Sequence, residues 1–186
     1  MIDIFNNFYK GKRVLVTGHT GFKGSWLSIW LHELGAEVVG VGLEPYSEKD
    51  NFVLSGIGKK IKADIRADIR DGEKMKEIFR QYQPEIVFHL AAQPLVRLSY
   101  EIPVDTYQTN VMGTINIMEA IRATDSVKVG VMITTDKCYA NSGWLSHKHP
   151  LMSYRGHNHQ TGHLPCSLAS APCCRSTCLW LSSHQP

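Results

Sequence analysis

The feature that most constrains the fold is a buried-strand pattern that runs directly into a glycine-rich loop. Residues 13–17 read RVLVT, an apolar run with β-branched side chains that is typical of a strand buried on both faces. The loop follows at residues 18–24 with the sequence GHTGFKG. Apolar residues at helical spacing over 22–34, Trp26 and Trp30 among them, then predict a helix that Gly35 terminates.

Each glycine of this loop has a predicted structural role. Gly18 permits the tight turn, Gly21 lets the backbone approach a pyrophosphate, and Gly24 lets the helix pack closely on the strand. The unpaired N–H groups and the dipole at the start of the helix favour negative phosphates. The loop therefore predicts a dinucleotide site, because its glycines lie between a strand and a helix of one βαβ unit.

Further strand and helix patterns alternate along the chain. Apolar runs predict strands at residues 37–41, 61–65, 85–90 and 127–134, and helical periodicity predicts helices at 72–82 and 104–123. Such alternation is typical of right-handed βαβ crossovers and a parallel sheet. The expected fold class is α/β, a Rossmann-type doubly wound parallel sheet, with ligands beyond the carboxyl ends of the strands.

Composition divides the chain near residue 144. All 17 acidic residues precede that point, whereas the following 43 residues contain six of the nine histidines and four of the five cysteines. We therefore expect two segments, the dinucleotide-binding domain predicted above at 1–143 and an atypical, poorly structured tail at 144–186, the product of a frameshift or a replaced segment. The cysteine spacing disfavours a zinc site, so no metal is expected.

Charge and hydropathy exclude several classes of function. A net charge of +3 without a basic block argues against binding to nucleic acid. No apolar stretch is long enough for a signal peptide or a membrane-spanning helix, so the expected location is cytoplasmic.

The preference between NAD and NADP depends on an acidic residue near the end of the second strand. The expected position lies near Gly42, which has no side chain. Glu44 lies 20 residues beyond Gly24 and is either the ribose acceptor or a solvated loop carboxylate. The sequence favours NAD and leaves both interpretations of Glu44 open.

Four further motifs follow the glycine loop in order. They are DIRD at 68–71, HLAAQ at 89–93, TNVMGT at 109–114 and TTDKCY at 134–139. Together, the five motifs resemble the nucleotide-sugar dehydratases and epimerases of the extended short-chain dehydrogenase/reductase superfamily. The resemblance covers about residues 8–145 and implies an NAD-dependent lyase that acts on a nucleotide sugar.

The resemblance also implies cofactor contacts by position. Two residues would lie along the pyrophosphate, one carboxylate would accept from the adenine amino group, and small residues after the fourth strand would line the ribose. The residues so implied are Gly18, Gly21, Phe22, Lys23, Gly24, Asp68, Ile69, Leu90, Ala91, Ala92, Gln93 and Thr109. The tandem ADIRADIR leaves Asp64 as an alternative to Asp68, which is preferred because Asp71 completes the DIRD pattern.

The family chemistry implies oxidation at C4 of the sugar, loss of water across C5 and C6, and reduction at C6. Thr135 would orient the 4-hydroxyl, and Asp136 and Lys137 would be the acid and base. A strand-end turn with a solvated Asp–Lys pair is the alternative. His89 is interpreted as a packed histidine, and Arg97 as a loop residue that contacts an anionic substrate or solvent.

The Tyr-x-x-x-Lys pair of the family is absent from this sequence. The chain as written is therefore expected to turn over substrate poorly. A nucleotide-sugar epimerase or another 4,6-dehydratase remains an alternative function, and a non-catalytic dinucleotide-binding module is an alternative of a different class. The resemblance further implies a homodimer that pairs through the helix at 104–123.

Overall fold

The fold is built on one sheet with helices packed on both of its faces. The structure, a computed structural model, describes residues 5–134 and the backbone of a four-residue strand at 178–181. The strands are β1 Arg13–Thr17, β2 Glu37–Gly42, β3 Ala63–Arg66, β4 Ile86–His89, β5 Val129–Met132 and β6 Cys178–Leu181. They lie in the order β3-β2-β1-β4-β5-β6.

The first five strands are parallel, and β6 pairs antiparallel with β5. The chain moves outward from β1 to β2 and β3, then returns to the other side of β1 to form β4 and β5. This reversal opens a crevice beyond the carboxyl ends of β1 and β4, where ligands of doubly wound sheets bind. The predicted fold class is confirmed.

The helices are α1 Phe22–Glu33, α2 Asn51–Ser55, α3 Gly72–Tyr82, α4 Val96–Glu101, α5 Pro103–Tyr107 and α6 Thr114–Arg122. A π-helical segment, Gln108–Gly113, joins α5 to α6, so the long helix predicted at 104–123 carries a wider turn in its middle. The short helices α2 and α4 were not predicted. Within the described residues, no helix has the length and apolarity needed to cross a bilayer.

Strand β1 is buried on both faces, which explains its continuous apolar run. Val14 and Val16 pack in one hydrophobic cluster with Leu31 of α1. Leu15 points to the opposite face and packs in a second cluster with Phe79 of α3. Alternate side chains of one strand therefore contribute to two cores, as the two-residue period of a strand requires.

Helix α1 differs from its predicted apolar face. It buries Gly24, Ser25, Ser28 and Leu31, whereas Trp26 and Trp30 remain about half exposed. Small residues face the sheet because α1 approaches β1 closely. The buried hydroxyls of both serines donate to backbone carbonyls of the same helix, so their burial leaves neither hydroxyl unpaired.

Candidate functional site

The glycine loop forms the tight turn between β1 and α1. Gly18 has a φ of +73°, a left-handed conformation that side chains rarely adopt. A Cβ atom at Gly18 would lie 2.8 Å from the backbone nitrogen of Ala91. A Cβ atom at Gly24 would overlap the carbonyl oxygen of Gly18. Both positions therefore require glycine, for the turn and for the contact of the helix with the strand.

The N-terminus of α1 is open to a ligand. Its N-cap residue, Gly21, is exposed and caps the helix with no side chain, and Phe22 is 75% exposed in the first turn. Lys23 is also exposed beside them. The free N–H groups of a first helical turn and the helix dipole attract anions. The loop has the geometry of a diphosphate site, and the residues present fit a dinucleotide.

Thr17, the last residue of β1, holds the segment that follows the neighbouring strand β4. The backbone N–H groups of Leu90 and Ala91 both donate to Thr17 Oγ1, at 3.1 and 3.2 Å. Because Oγ1 accepts twice, its own hydrogen is free to donate to His89 Nδ1, 2.7 Å away. Thr17 and His89 are both buried. The segment after β4 is thus held against the glycine loop.

The same hydrogen-bond chain continues to the π-helical segment. His89 Nε2 lies 3.1 Å from Thr114 Oγ1, and Thr114 Oγ1 donates to the carbonyl of Asn110 at 2.7 Å. Since Nδ1 accepts, we assign the ring proton to Nε2, which makes His89 a neutral donor to Thr114. Burial lowers the pKa of His89 to about 4, which keeps the ring neutral at physiological pH. His89 is a packed, fully bonded histidine, as the sequence interpretation had it.

Gln93 and Asn110 hold the loop after β4 against the π-helical segment. Asn110 Oδ1 accepts from the Gln93 backbone N–H at 2.7 Å, and Asn110 Nδ2 donates to the Gln93 carbonyl at 3.0 Å. The Gln93 side chain bonds the backbone of Leu95 and the hydroxyl of Thr106. The side chain of Gln93 therefore shapes the loop. The half-buried Thr109 precedes Asn110 in the same segment.

Asp68 lies in the turn after β3. Its carboxylate accepts from the backbone N–H of Arg70 at 2.9 Å and from the Arg70 guanidinium at 2.6 and 2.8 Å. Partial burial raises the pKa of Asp68, but the hydrogen bonds from Arg70 outweigh it and lower the pKa overall. Ile69 is buried and packs against Gly113, where a Cβ atom would lie 2.7 Å from Ile69 Cγ1.

The alternative carboxylate, Asp64, lies within β3 and is hydrogen-bonded to His19 of the glycine loop. Its Oδ1 lies 2.7 Å from His19 Nε2 and 2.6 Å from a nitrogen of Arg66. Burial lowers the pKa of His19, and the hydrogen bond that its ring donates to Asp64 opposes that shift. Asp64 supports the loop from below, whereas Asp68 lies beyond the end of β3. The structure thus gives the two D-I-R triplets different positions.

The remaining predicted residues have different outcomes. Thr135, Asp136 and Lys137 lie outside the described residues, as do the cysteines and histidines of the tail, apart from the backbone of Cys178. Arg97 lies on α4, not in a loop, with its side chain 96% exposed and 3.7 Å from Glu101. Sequence reasoning missed Thr17 and Thr114, which have no local signal beyond being polar residues at element ends.

Comparison with known proteins identifies the family of this chain. Residues 15–147 match the family model described as GDP-mannose 4,6 dehydratase. The chain belongs to this family. The predicted membership of the extended short-chain dehydrogenase/reductase superfamily is confirmed. The family match ends close to the point at which the composition of the chain changes.

The chain is 52% identical to the CDP-glucose 4,6-dehydratase of Salmonella typhimurium over 145 residues, covering 78% of this chain and 40% of that protein. The UDP-glucose-4-epimerase of Stenotrophomonas maltophila, solved with NAD and formylated UDP-arabinopyranose, superimposes with a TM-score of 0.64 and 26% identity. That match covers 84% of this chain and 47% of the epimerase. The UDP-glucose 4-epimerase of Thermus thermophilus, solved as a complex with NAD, gives a TM-score of 0.51 and 33% identity, over 60% of this chain and 34% of that one. The chain thus spans less than half the length of these relatives.

Proposed function

We propose that this domain binds NAD at the carboxyl edge of β1 and β4, with the diphosphate at the N-terminus of α1. The observation that carries the proposal is the loop itself, in which Gly18 and Gly24 bring the strand, the turn and an uncapped helix N-terminus together. Two solved epimerases of the same fold contain NAD. Phe22 and Lys23 flank the diphosphate, and Asp68 with Ile69 meets the adenine.

The whole protein acts as an NAD-dependent nucleotide-sugar 4,6-dehydratase, converting CDP-glucose to CDP-4-keto-6-deoxyglucose. The identity of 52% to a CDP-glucose 4,6-dehydratase supports this choice over the epimerases, which are less similar in sequence. NAD, when bound, would supply the hydride acceptor for oxidation at C4 of the sugar and the hydride donor for reduction at C6. The base that would take the 4-hydroxyl proton, the tyrosine of the Tyr-x-x-x-Lys pair, is absent from this sequence, so turnover by the chain as written is expected to be poor. Thr135 holds the 4-hydroxyl, and Asp136 and Lys137 move the protons that accompany loss of water.

A substitution at Gly21 separates cofactor binding from folding. Gly21 has an extended backbone, and aspartate is a favourable N-cap residue. This gain offsets the tight contact of 3.3 Å that a Cβ atom would make with the Gly18 carbonyl oxygen, so Gly21→Asp is expected to leave thermal stability nearly unchanged. Its carboxylate would compete with the diphosphate for the same N–H groups, and NAD⁺ affinity should fall by about tenfold or more in calorimetric titration. Equal affinity in the two proteins, or no binding by the original chain, would refute the proposed site.

The dehydratase activity has its own test. The whole protein is incubated with NAD⁺ and, separately, CDP-glucose, dTDP-glucose and GDP-mannose, and each product is examined by mass spectrometry. Loss of one water from CDP-glucose is the expected result, at a low rate and at high enzyme concentration because the Tyr-x-x-x-Lys pair is absent. A product of unchanged mass would support the epimerase alternative. Tight NAD⁺ binding with no product from any sugar would support a non-catalytic module.

The protein also forms a homodimer through α5 and the π-helical segment. This face carries an exposed apolar group, with Val104 67% exposed, Met112 50% and Tyr107 38%. A patch of this kind on one side of a helix is typical of an interface. Sedimentation equilibrium should give a dimer, and Val104→Asp should give a monomer of unchanged secondary structure. A monomeric original chain would contradict this proposal.

A further inference from the structure

The end of β2 lacks the acidic side chain that dinucleotide-binding folds commonly place there to bind the ribose hydroxyls. The last residue of β2 is Gly42, and a Cβ atom on it would lie 3.2 Å from both His19 Nδ1 and Thr20 Oγ1. The His19 ring is fully buried and held by Asp64, so it cannot move aside easily. A side chain at position 42 would therefore be tightly packed, and Gly42 itself offers no acceptor to a ribose hydroxyl.

Another carboxylate is held at the same edge of the sheet. Arg66 ends β3 and is paired in register with Gly42, and its Nε lies 3.2 Å from a carboxylate oxygen of Glu44. Glu44 follows β2 by two residues, so the ion pair holds it beside the end of that strand. Its side chain remains 76% exposed, which leaves the carboxylate accessible to a ligand.

Arg66 is itself held in place on two sides. Its guanidinium makes two hydrogen bonds to Asp64, at 2.6 and 3.1 Å, and lies 5.1 Å from the centre of the Phe52 ring. Such a bidentate and stacked arrangement fixes the direction of Nε, and with it the position of Glu44.

The charges of Asp64, Glu44 and Arg66 favour NAD over NADP. Asp64 and Glu44 carry two negative charges against the single positive charge of Arg66. A ribose hydroxyl can donate to the exposed carboxylate of Glu44, whereas a 2′-phosphate would meet a net negative charge and an arginine that is already paired.

We propose that Glu44, positioned by Arg66, accepts the adenosine ribose hydroxyl and determines the preference for NAD over NADP. The inference rests on the proposed cofactor site and adds the residue that selects the cofactor at that site. Glu44 takes the role that Gly42 cannot fill.

Calorimetric titration of the intact chain with NAD⁺ and NADP⁺ tests this inference. Glu44→Gln keeps the size of the side chain and removes its charge, and should lower NAD⁺ affinity by about tenfold, as expected for one hydrogen bond to a charged group. NADP⁺ affinity should stay the same or rise. Glu48→Gln, which removes an exposed charge from the same loop, is the matched control and should leave both affinities unchanged.

The positioning role of Arg66 predicts a coupling. Arg66→Lys retains the charge but loses the paired geometry, so it should lower the ratio of NAD⁺ to NADP⁺ affinity in the original chain. It should change that ratio little in the Glu44→Gln background, because the residue it positions is already neutral. A purely structural role for Arg66 would lower both affinities together in either background.

The outcomes distinguish this inference from the proposed function. If the original chain binds neither cofactor, the cofactor site is wrong and the inference fails with it. If the original chain binds NAD⁺ and Glu44→Gln leaves the affinity ratio within about twofold, the site stands and only the role of Glu44 is refuted. Preferential binding of NADP⁺ by the original chain would show that Arg66 receives a phosphate, which also refutes it.

Discussion

Acid should destabilise this domain through His89 at pH values where most carboxylates are still ionised. Burial lowers the pKa of His89 from 6.5 to about 4, so the unfolded chain binds this proton more readily than the folded chain. The stability that the neutral ring contributes is present above pH 6.5 and is lost as the pH falls towards 4. Between pH 7 and pH 5 the loss amounts to about 2 kcal/mol for this group alone.

The variant His89→Gln isolates this contribution, because glutamine has no titrating group and still offers an amide for Thr114. Urea unfolding at pH 7 and pH 5 gives the free energy of unfolding at each pH. The original chain should lose about 2 kcal/mol more than His89→Gln between these values. Part of the acid sensitivity should remain in the variant, since burial lowers the pKa of His19 as well.

A second variant, His32→Gln, removes a histidine from α1 outside this hydrogen-bond chain and serves as the control. It should retain the acid sensitivity of the original chain, because His89 is intact. If His89→Gln loses as much stability at pH 5 as the original chain does, His89 is not held neutral. The assignment of its ring proton and of the Thr17–His89–Thr114 chain would then be wrong.

Three further substitutions test single contacts. Gly18→Ala should lower the free energy of unfolding, measured in urea, by about 2 kcal/mol more than Gly11→Ala. Both glycines have a φ of +73°, but only at Gly18 would a Cβ atom clash with neighbouring backbone. Equal losses in the two variants would contradict this interpretation. Asn110→Ala should lower stability by about 1–3 kcal/mol and speed hydrogen exchange at the amide of Gln93, and unchanged exchange would refute the contact. Asp71→Ala removes the side chain that caps α3 and should cost about 1 kcal/mol, a loss that urea unfolding would detect and that would be absent if the cap contributes nothing.

The bounds of two elements, β1 and α3, were predicted correctly because residues close to their ends determine them. Strand β1 and helix α3 have the predicted bounds, Arg13–Thr17 and Gly72–Tyr82. In β1, glycine residues flank an apolar run, and in α3, Asp71 caps a helix with one apolar face and Gln83 ends it in a left-handed conformation. In both cases the information lies within a few residues of the boundary, so the sequence alone suffices.

The contacts that fix the candidate site are not local. Thr17 and His89 are 72 residues apart, and His19 and Asp64 are 45 apart. These pairs depend on which strands are neighbours in the sheet. The identity of a single residue does not indicate that strand order. Helix α1 shows a related failure. Its tryptophans have helical spacing, but the close approach of its first two turns to the sheet admits only small residues there, so Trp26 and Trp30 stay about half exposed while Leu31 is buried.

The two buried histidines near the loop show how such non-local packing shapes the site. Both have lowered pKa values because burial disfavours the charged ring, but they differ in their partners. His89 uses both ring nitrogens, whereas Nδ1 of His19 has no well-formed hydrogen bond among the described residues, although the Val41 backbone lies near enough to favour the charged ring. A buried, unpaired nitrogen is unfavourable by about 1–3 kcal/mol.

The packing around the His19 ring explains how the fold tolerates that cost. The ring occupies space that side chains at Gly40 and Gly42 would fill, and its edge meets the Phe52 ring at a centroid distance of 5.1 Å. A Cβ atom at Gly40 would overlap the ring, so a side chain there would displace the ring from Asp64, which also binds Arg66. A Cβ atom at Gly42 would lie 3.2 Å from Nδ1 and would require a smaller shift. Gly40, which carries no side chain of its own, therefore preserves the contact between His19 and Asp64 at this edge of the sheet.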